Sequence, residues 1–576
     1  MTIVYIIFRG IFTLNLESAY STFASWLLYS AEILGGFQML LYFFNVWEVD
    51  EPDALEPEEG LTVDVLIPTY NEDVLLLRGT VQAALAMDYE HRTIILDDGR
   101  RPEVAELADE LGAMYIKRDD NKHAKAGNMN NALEQLDGEY VIVLDADHVP
   151  VKHMITRLLG YFRDPKVGFV QSPHDFYNFE NFQASCNYDK QQYWEEGLLF
   201  YHNLQPGKNR CNAVVFAGSA AMFRRTALDD VGLFAVETIT EDMHTGLRMA
   251  AKGWKSISVT ERLIAGQAAP DVTTFHTQRL RWGEGNVSIL FHDNPLTMRG
   301  LTLTQRISYW ASIFHWFSGF TRLAVYATPI LLLLTGVAPF TEIKVWIITM
   351  LLSYLFITHL AMRLVSGKNA SLHNMELFAM MTFWTSIKGC FRGIFKRKDS
   401  TFVVTSKRGG RQAGASLIKF IMPQIMIIGF GFAALAWASF RMLFHTTYDF
   451  IGPSIAAPLV LYHIVLAWMV LRRSIAEETK RFSYRHKAIL PVEFTFDDPE
   501  HGTVSGLGMS SDFSEYGIGL ITYEPLPIDG EGDLFLSADG ERYRLRGAIR
   551  HSDASAPDDL AIDGSQPTEA EKGTYR

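Results

Sequence analysis

Three short runs carry residue types suited to chemistry. Asp145-Ala146-Asp147 sets two carboxylates two residues apart. At the end of a strand, the following turn must bring both toward one ion, and a divalent cation such as Mg2+ held there would neutralise negative charge building on a leaving oxygen. Thr240-Glu241-Asp242 offers Asp242 as a base able to take a proton from a hydroxyl. Glu241 is expected to point elsewhere, because neighbouring helix residues diverge by about 100°. In Gln278-Arg279-Leu280-Arg281-Trp282, two guanidinium forks suit a diphosphate and the indole offers a flat apolar face. One base with no protein nucleophile implies a single in-line displacement with inversion.

These residues need a rigid frame, and the chain supplies one. VDVLIPTY (63–70), RTIILDDG (92–99), AMYIKRD (113–119) and YVIVLDADH (140–148) read as buried parallel strands, each an apolar run ending in polar residues. Helix-like stretches, 74–87 and 103–112 among them, lie between. Open α/β sheets bind ligands at the carboxyl ends of their strands. There lie Ile67–Glu72, Asp97-Asp98-Gly99 and Asp145–Asp147, with His123-Ala124-Lys125-Ala126-Gly127-Asn128 opening a helix.

The 576 residues are 48% hydrophobic and only 20% charged, with 38 Phe, 23 Tyr and 11 Trp. That excludes a disordered or collagen-like chain and indicates a membrane protein with sizeable water-exposed parts. The net charge of −14 gives no general clue to partners. Residues 48–60 hold −7 of it and residues 552–576 hold −4. Cys186, Cys211 and Cys390 are too dispersed for a disulfide framework or a zinc site.

Apolar runs at 22–47, 309–337, 343–363, 415–443 and 455–471 are each read as crossing a hydrocarbon core of about 30 Å. Residues 2–14, interrupted by Arg9, read as a short segment pairing with 22–47. Arg322 should face protein or a polar pathway. Residues 372–398 read as a helix lying in the interface. Basic residues including Lys388, Arg392, Lys396, Arg408 and Arg472 put 364–414, the α/β domain and the C-terminal region on the cytoplasmic side. The expected organisation is an N-terminal membrane segment (1–47), an α/β domain (48–300), further spans (301–475), a small β-domain (476–551) and an acidic, disordered tail (552–576).

The ordered motifs of 65–285 resemble those of processive family-2 glycosyltransferases. The resemblance implies a cytoplasmic GT-A type domain inserted among the spans. It also implies a UDP-sugar held by Thr69, Tyr70, Glu72, Asp98, Lys125, Asp145, Gln278, Arg279 and Arg281. Asp242, Asp98 and Asp145 take the catalytic roles, Mg2+ sits on Asp145 and Asp147, and Trp282 receives the acceptor glucan. Phe402-Val403-Val404-Thr405-Ser406-Lys407 is similar to the gating loop of bacterial cellulose synthases, here within 400–411, with Phe402, Thr405 and Lys407 matching its motif. Arg481-x-x-x-Arg485 with Asp512-x-Ser514-x-x-Gly517 resembles the PilZ signature for cyclic di-GMP, placed on a small β-barrel.

Residues 20–550 as a whole thus resemble the catalytic subunit of bacterial cellulose synthase. The implied activity is polymerisation of UDP-glucose into β-1,4-glucan with export across the inner membrane, activated by cyclic di-GMP. Membrane lipid and a periplasmic membrane-anchored subunit are the implied partners, and nucleic acid is not. Arg481 and Arg485 are expected to pair with Asp271 in a resting state. The chain departs from the family at Ala217, where cysteine is expected, and has room for only about five strands in the β-domain. Three alternatives stay open: a synthase of β-1,3 or mixed-linkage glucan, a cyclic di-GMP receptor with an inactive transferase domain, and a transporter.

Overall fold

The computed structural model describes residues 1–49, 51–176, 196–269, 271–341, 345–396, 415–444, 451–478, 491–498, 502–514, 517–522, 531–538 and 541–548. Phe402, Thr405 and Lys407, Arg481 and Arg485, and the acidic tail lie outside them. The chain forms two units, Met1–Thr479 and Lys480–Arg576.

The strands of the first unit are β1 (Val63–Thr69), β2 (Arg92–Asp97), β3 (Met114–Ile116), β4 (Tyr140–Val143), β5 (Val149–Pro150), β6 (Val167–Gln171), β7 (Asp175–Phe176), β8 (Ala221–Arg224), β9 (Lys255–Ser258) and β10 (Ile264–Gly266). Seven form one sheet in the order β3-β2-β1-β4-β8-β6-β9, and β5-β10-β7 form a small second sheet. Strands β1 to β4 are parallel, as their apolar runs predict. Their register sets Thr69 opposite Asp97, so the polar strand ends finish level. Strand β8 is the departure, running antiparallel to both β4 and β6. Four residues are too few to show a periodicity in the sequence.

Alternation along β1 divides the core. Val63, Val65 and Ile67 belong to one apolar cluster, while Leu66 joins Ile94, Leu96, Val141 and Val143 in the other. Burial on both faces is why these strands read as continuous apolar runs.

Among the described residues, five helices are long and apolar enough to cross a membrane: Ala19–Asn45, Leu303–Thr335, Thr349–Ser366, Leu417–Phe444 and Gly452–Ile475. The short helix Thr2–Phe12 lies along the first. Its Arg9 is buried, but pairs with Glu32 at 2.9 Å and stacks on Phe340 at 4.5 Å. A partner of opposite charge is what makes an arginine tolerable there. Arg322 likewise faces protein, donating to Glu376 Oε2 at 2.7 Å. The helix Leu372–Phe395, within the 372–398 segment expected at an interface, packs one face deeply against Val272–Ser288 and Ser318–Thr335. Met380, Met381, Phe383 and Ile387 are buried, while Phe391 and Phe395 remain exposed.

The second unit is an antiparallel sheet of β11 (Pro491–Asp498), β12 (Gly502–Ser514), β13 (Gly517–Thr522), β14 (Glu531–Ala538) and β15 (Glu541–Ala548), ordered β13-β12-β11-β14-β15. Val492, Phe494, Phe496, Leu520, Leu534 and Leu536 close its core. Asp512, Ser514 and Gly517 fall on one hairpin, with Asp512 opposite Gly519 and Ser514 opposite Gly517.

Candidate active site

The strand ends open into a cavity of about 1260 Å³, lined among others by Thr69, Asp98, Lys125, Asp145, Asp242 and Trp282. Pockets for drug-sized ligands span about 300–1,000 Å³, so this one has room for more than a nucleotide sugar. It continues between the apolar helices, past Gln38 and Tyr42 on one side and Arg322 and Phe383 on the other.

At the first strand end, Glu72 shapes its own turn. Its Oε2 accepts from Thr69 Oγ1 at 2.8 Å and from the Tyr70 N–H at 2.7 Å. Arg101 ties the turn to the second strand end through Thr69 Oγ1 and the Glu72 carbonyl. Asp97 is buried, accepting the N–H groups of Gly99 and Arg101. Asp98 is the member of the pair that lines the cavity. Arg118 grips it with two bonds of 2.6 and 2.8 Å. The sequence reading missed Arg118, although its place just past β3 is the same strand-end signal.

The centre of the site is crowded with charge. Lys125 Nζ donates to Asp145 Oδ1 at 2.5 Å and to the Gly218 carbonyl at 2.6 Å. Burial disfavours this ammonium, but Asp145 and Glu241 outweigh it and hold its pKa above the usual lysine value. Asp145, Asp147 and His148 bring three ligand atoms within 4.8 Å of one another, a set that fits a divalent cation. His148 was missed although it directly follows the Asp-x-Asp run. Its Nδ1 lies 2.6 Å from Ser219 Oγ, which also accepts the Asp145 N–H at 2.9 Å.

Asp242 stands in the first turn of the helix Glu241–Ala251, with Oδ1 accepting the Met243 N–H at 2.7 Å. Burial, reinforced by Glu241, pushes its carboxyl up to about 7, against the pull of Lys125 and Arg281. Gly218, with φ at +91°, passes so close that a Cβ there would lie 3.1 Å from Asp242 Oδ2. Glu241 also lines the cavity, contrary to its expected outward direction, and burial raises its pKa as well. The cavity is wide enough at this first turn to take in both neighbouring positions.

Gln278, Arg279, Arg281 and Trp282 line the far end on the helix Val272–Ser288, here the tryptophan helix. Arg279 is nine-tenths buried, donates to Glu196 Oε2 at 2.5 Å and lies over the rings of Phe275, Phe378 and Trp282. It braces the indole here. Despite burial, Arg279 and His315 draw the Glu196 carboxyl down to about 2. Arg281 lies near enough to Glu241 and Asp242 to stabilise their charged forms. Asp271 caps the same helix, accepting from the Thr274 N–H and Oγ1 at 2.8 Å each.

A large cavity at parallel strand ends, lined by an acidic cluster that fits a divalent cation and by a pair of carboxylates on a facing helix, is the arrangement of a glycosyltransferase. Consistently, residues 60–285 match the family described as Glycosyltransferase like family 2, and residues 229–433 match that described as Cellulose synthase. The chain is 32% identical over 554 residues to a cellulose synthase catalytic subunit (UDP-forming) of Pseudomonas fluorescens, covering 93% of this chain and 73% of the relative. It is 31% identical to cellulose synthase 1 of Komagataeibacter xylinus, covering 95% of this chain but 36% of the relative. With the UDP-forming cellulose synthase catalytic subunit of Xanthomonas axonopodis pv. citri it shares 38% over 55% of its length and 45% of the relative's. The chain belongs to the bacterial cellulose synthase catalytic-subunit family.

Proposed function

We propose that this enzyme is a processive, inverting β-1,4-glucan synthase of the bacterial inner membrane, using UDP-glucose and passing its product between its own membrane helices. One observation carries the reading: the cavity that holds the strand-end carboxylates runs on, without a break, between the apolar helices. A transferase releasing small products has no need of that extension.

The residues divide the work as follows. Thr69–Glu72 and the Arg118-clamped Asp98 receive the nucleoside. Asp145, Asp147 and His148 hold a divalent cation, which when bound neutralises charge on the departing diphosphate. Lys125 stands beside Asp145, within reach of that diphosphate. The terminal sugar stacks on Trp282, whose ring Arg279 fixes. Asp242 removes the proton from the acceptor hydroxyl as its oxygen bonds to the anomeric carbon, so an α-linked donor yields a β-linkage. Ala217 gives this site a smaller wall than cysteine would. The second unit is read as the cyclic di-GMP receptor, supported by Asp512, Ser514 and Gly517 sharing one hairpin.

Purified full-length protein supplied with UDP-glucose and Mg2+ should release UDP and make polymer that cellulase degrades, faster with cyclic di-GMP. Polymer resistant to cellulase but cut by β-1,3-glucanase would reassign the linkage. A rate indifferent to cyclic di-GMP would remove the receptor role alone.

A further inference from the structure

The proposed base and the acceptor platform sit on different helices, and a polar cluster links the first, the base helix, to the segment that follows the second. His244, two residues after Asp242, is fully buried in the base helix. Its Nε2 lies 2.8 Å from Asp293 Oδ2 and its Nδ1 lies 3.2 Å from Thr238 Oγ1. Asp293 follows the tryptophan helix by one short turn, Ile289–Phe291. Arg248 closes the ring, donating to Asp293 at 2.7 Å and to Glu237 at 2.9 Å. Glu237, Thr238 and Thr240 line the cavity. Thr240 also rests on the tryptophan helix at Gly285, where a Cβ would come within 2.5 Å of it.

We infer that the His244–Asp293 contact is a positioning device that fixes the distance between Asp242 and Trp282, and thereby directs the donor sugar to a carbohydrate hydroxyl and away from water. The inference rests on reading Asp242 as the base and Trp282 as the acceptor platform. In transfer, the acceptor oxygen bonds to the anomeric carbon and its proton goes to Asp242. The carbon–oxygen bond to the diphosphate breaks, with the electron pair leaving on UDP. With water as the nucleophile the same balance gives free sugar. Water needs no platform, so loosening the two helices handicaps transfer selectively. Displacements of about 1 Å can cost about 10²-fold in such steps.

The test is the partition of labelled UDP-glucose between free glucose and polymer in the full-length protein, for Asp293→Asn, His244→Ala and His244→Gln. Free glucose as a share of UDP released should rise at least about fivefold in the first two, with KM for UDP-glucose within about twofold of wild type. His244→Gln, which keeps one donor, should restore much of the partition. Slower UDP release with an unchanged partition would overturn the inference, leaving the contact a purely structural one. Should His244→Ala fail to fold, Asp293→Asn decides by the same ratio. Asp242→Asn with undiminished UDP release would instead sink the underlying reading.

Discussion

Lys125 Nζ and Asp145 Oδ1 are 2.5 Å apart, so the ammonium engages one of the carboxylates that would hold a divalent cation. The lysine and the cation therefore compete for the negative charge of one carboxylate. Unit charges about 4 Å apart interact by about 4 kcal/mol at an effective dielectric of about 20. Lys125→Met should accordingly bind Mn2+ at least about tenfold more tightly in the absence of nucleotide, followed by electron paramagnetic resonance. Turnover should fall about 10²-fold at the same time, because the leaving diphosphate loses a cation. Equal Mn2+ affinity in variant and wild type would contradict the competition.

Removing the base should separate chemistry from binding. Asp242→Asn is expected to keep UDP affinity while polymer synthesis drops by about 10³-fold, within the usual range for a general base. Calorimetric titration with UDP beside a radiolabel incorporation assay checks both halves.

The same carboxylate sets a pH limb. Asp242 must be ionised to act, and its carboxyl is raised to about 7, chiefly by burial. The ratio kcat/KM should therefore fall as pH drops below about 7 and level off above it, since that ratio reports the free enzyme. A flat profile between pH 6 and 8 would show that another group takes the proton.

Lys208, in the cavity wall, offers a stability measurement. It is buried, donates to the Ser308 carbonyl, Ser308 Oγ and Ser312 Oγ, and is pushed down by desolvation to about 7. Between that value and the ordinary lysine pKa, the unfolded chain binds a proton that the folded one lacks. Stability should thus rise with pH from about 7 upward, by as much as about 1.4 kcal/mol per pH unit from this group. Lys208→Met should lose that part of the slope in Tm against pH.

Asp271 separates capping from gating. Because it caps the tryptophan helix, Asp271→Ala should cost about 1 kcal/mol and lower both basal and activated rates. Asp271→Asn, a good cap without the charge, should behave as wild type. A raised basal rate in Asp271→Asn would support the expected gating role in place of the capping one.

The strand ends were legible because β1, β2 and β4 are buried on both faces and stop at polar residues, which places Thr69, Asp98 and Asp145 from the sequence. The five apolar helices were legible from length and composition. Contacts between distant segments were not. Arg118 pairs with Asp98 across 20 residues, and Arg279 pairs with Glu196 across 83. No local pattern announces which of several cations a carboxylate will meet. Glu241 faces the cavity beside Asp242 because the cavity is wide enough to take in two neighbouring helix positions, a breadth that no local pattern carries.

The helix Ala19–Asn45 contributes Gly35, Gln38, Met39 and Tyr42 to the cavity wall. It is therefore more than an anchor. An isolated 48–300 fragment would lose that wall together with those from Leu303–Thr335 and Leu372–Phe395. Its acceptor end would open sideways to detergent or acyl chains, and a sugar stacked on Trp282 would have nothing beyond it to hold the next. Solubilising this catalytic domain by trimming away its hydrophobic helices should thus yield a protein that still recognises UDP yet has forfeited processivity.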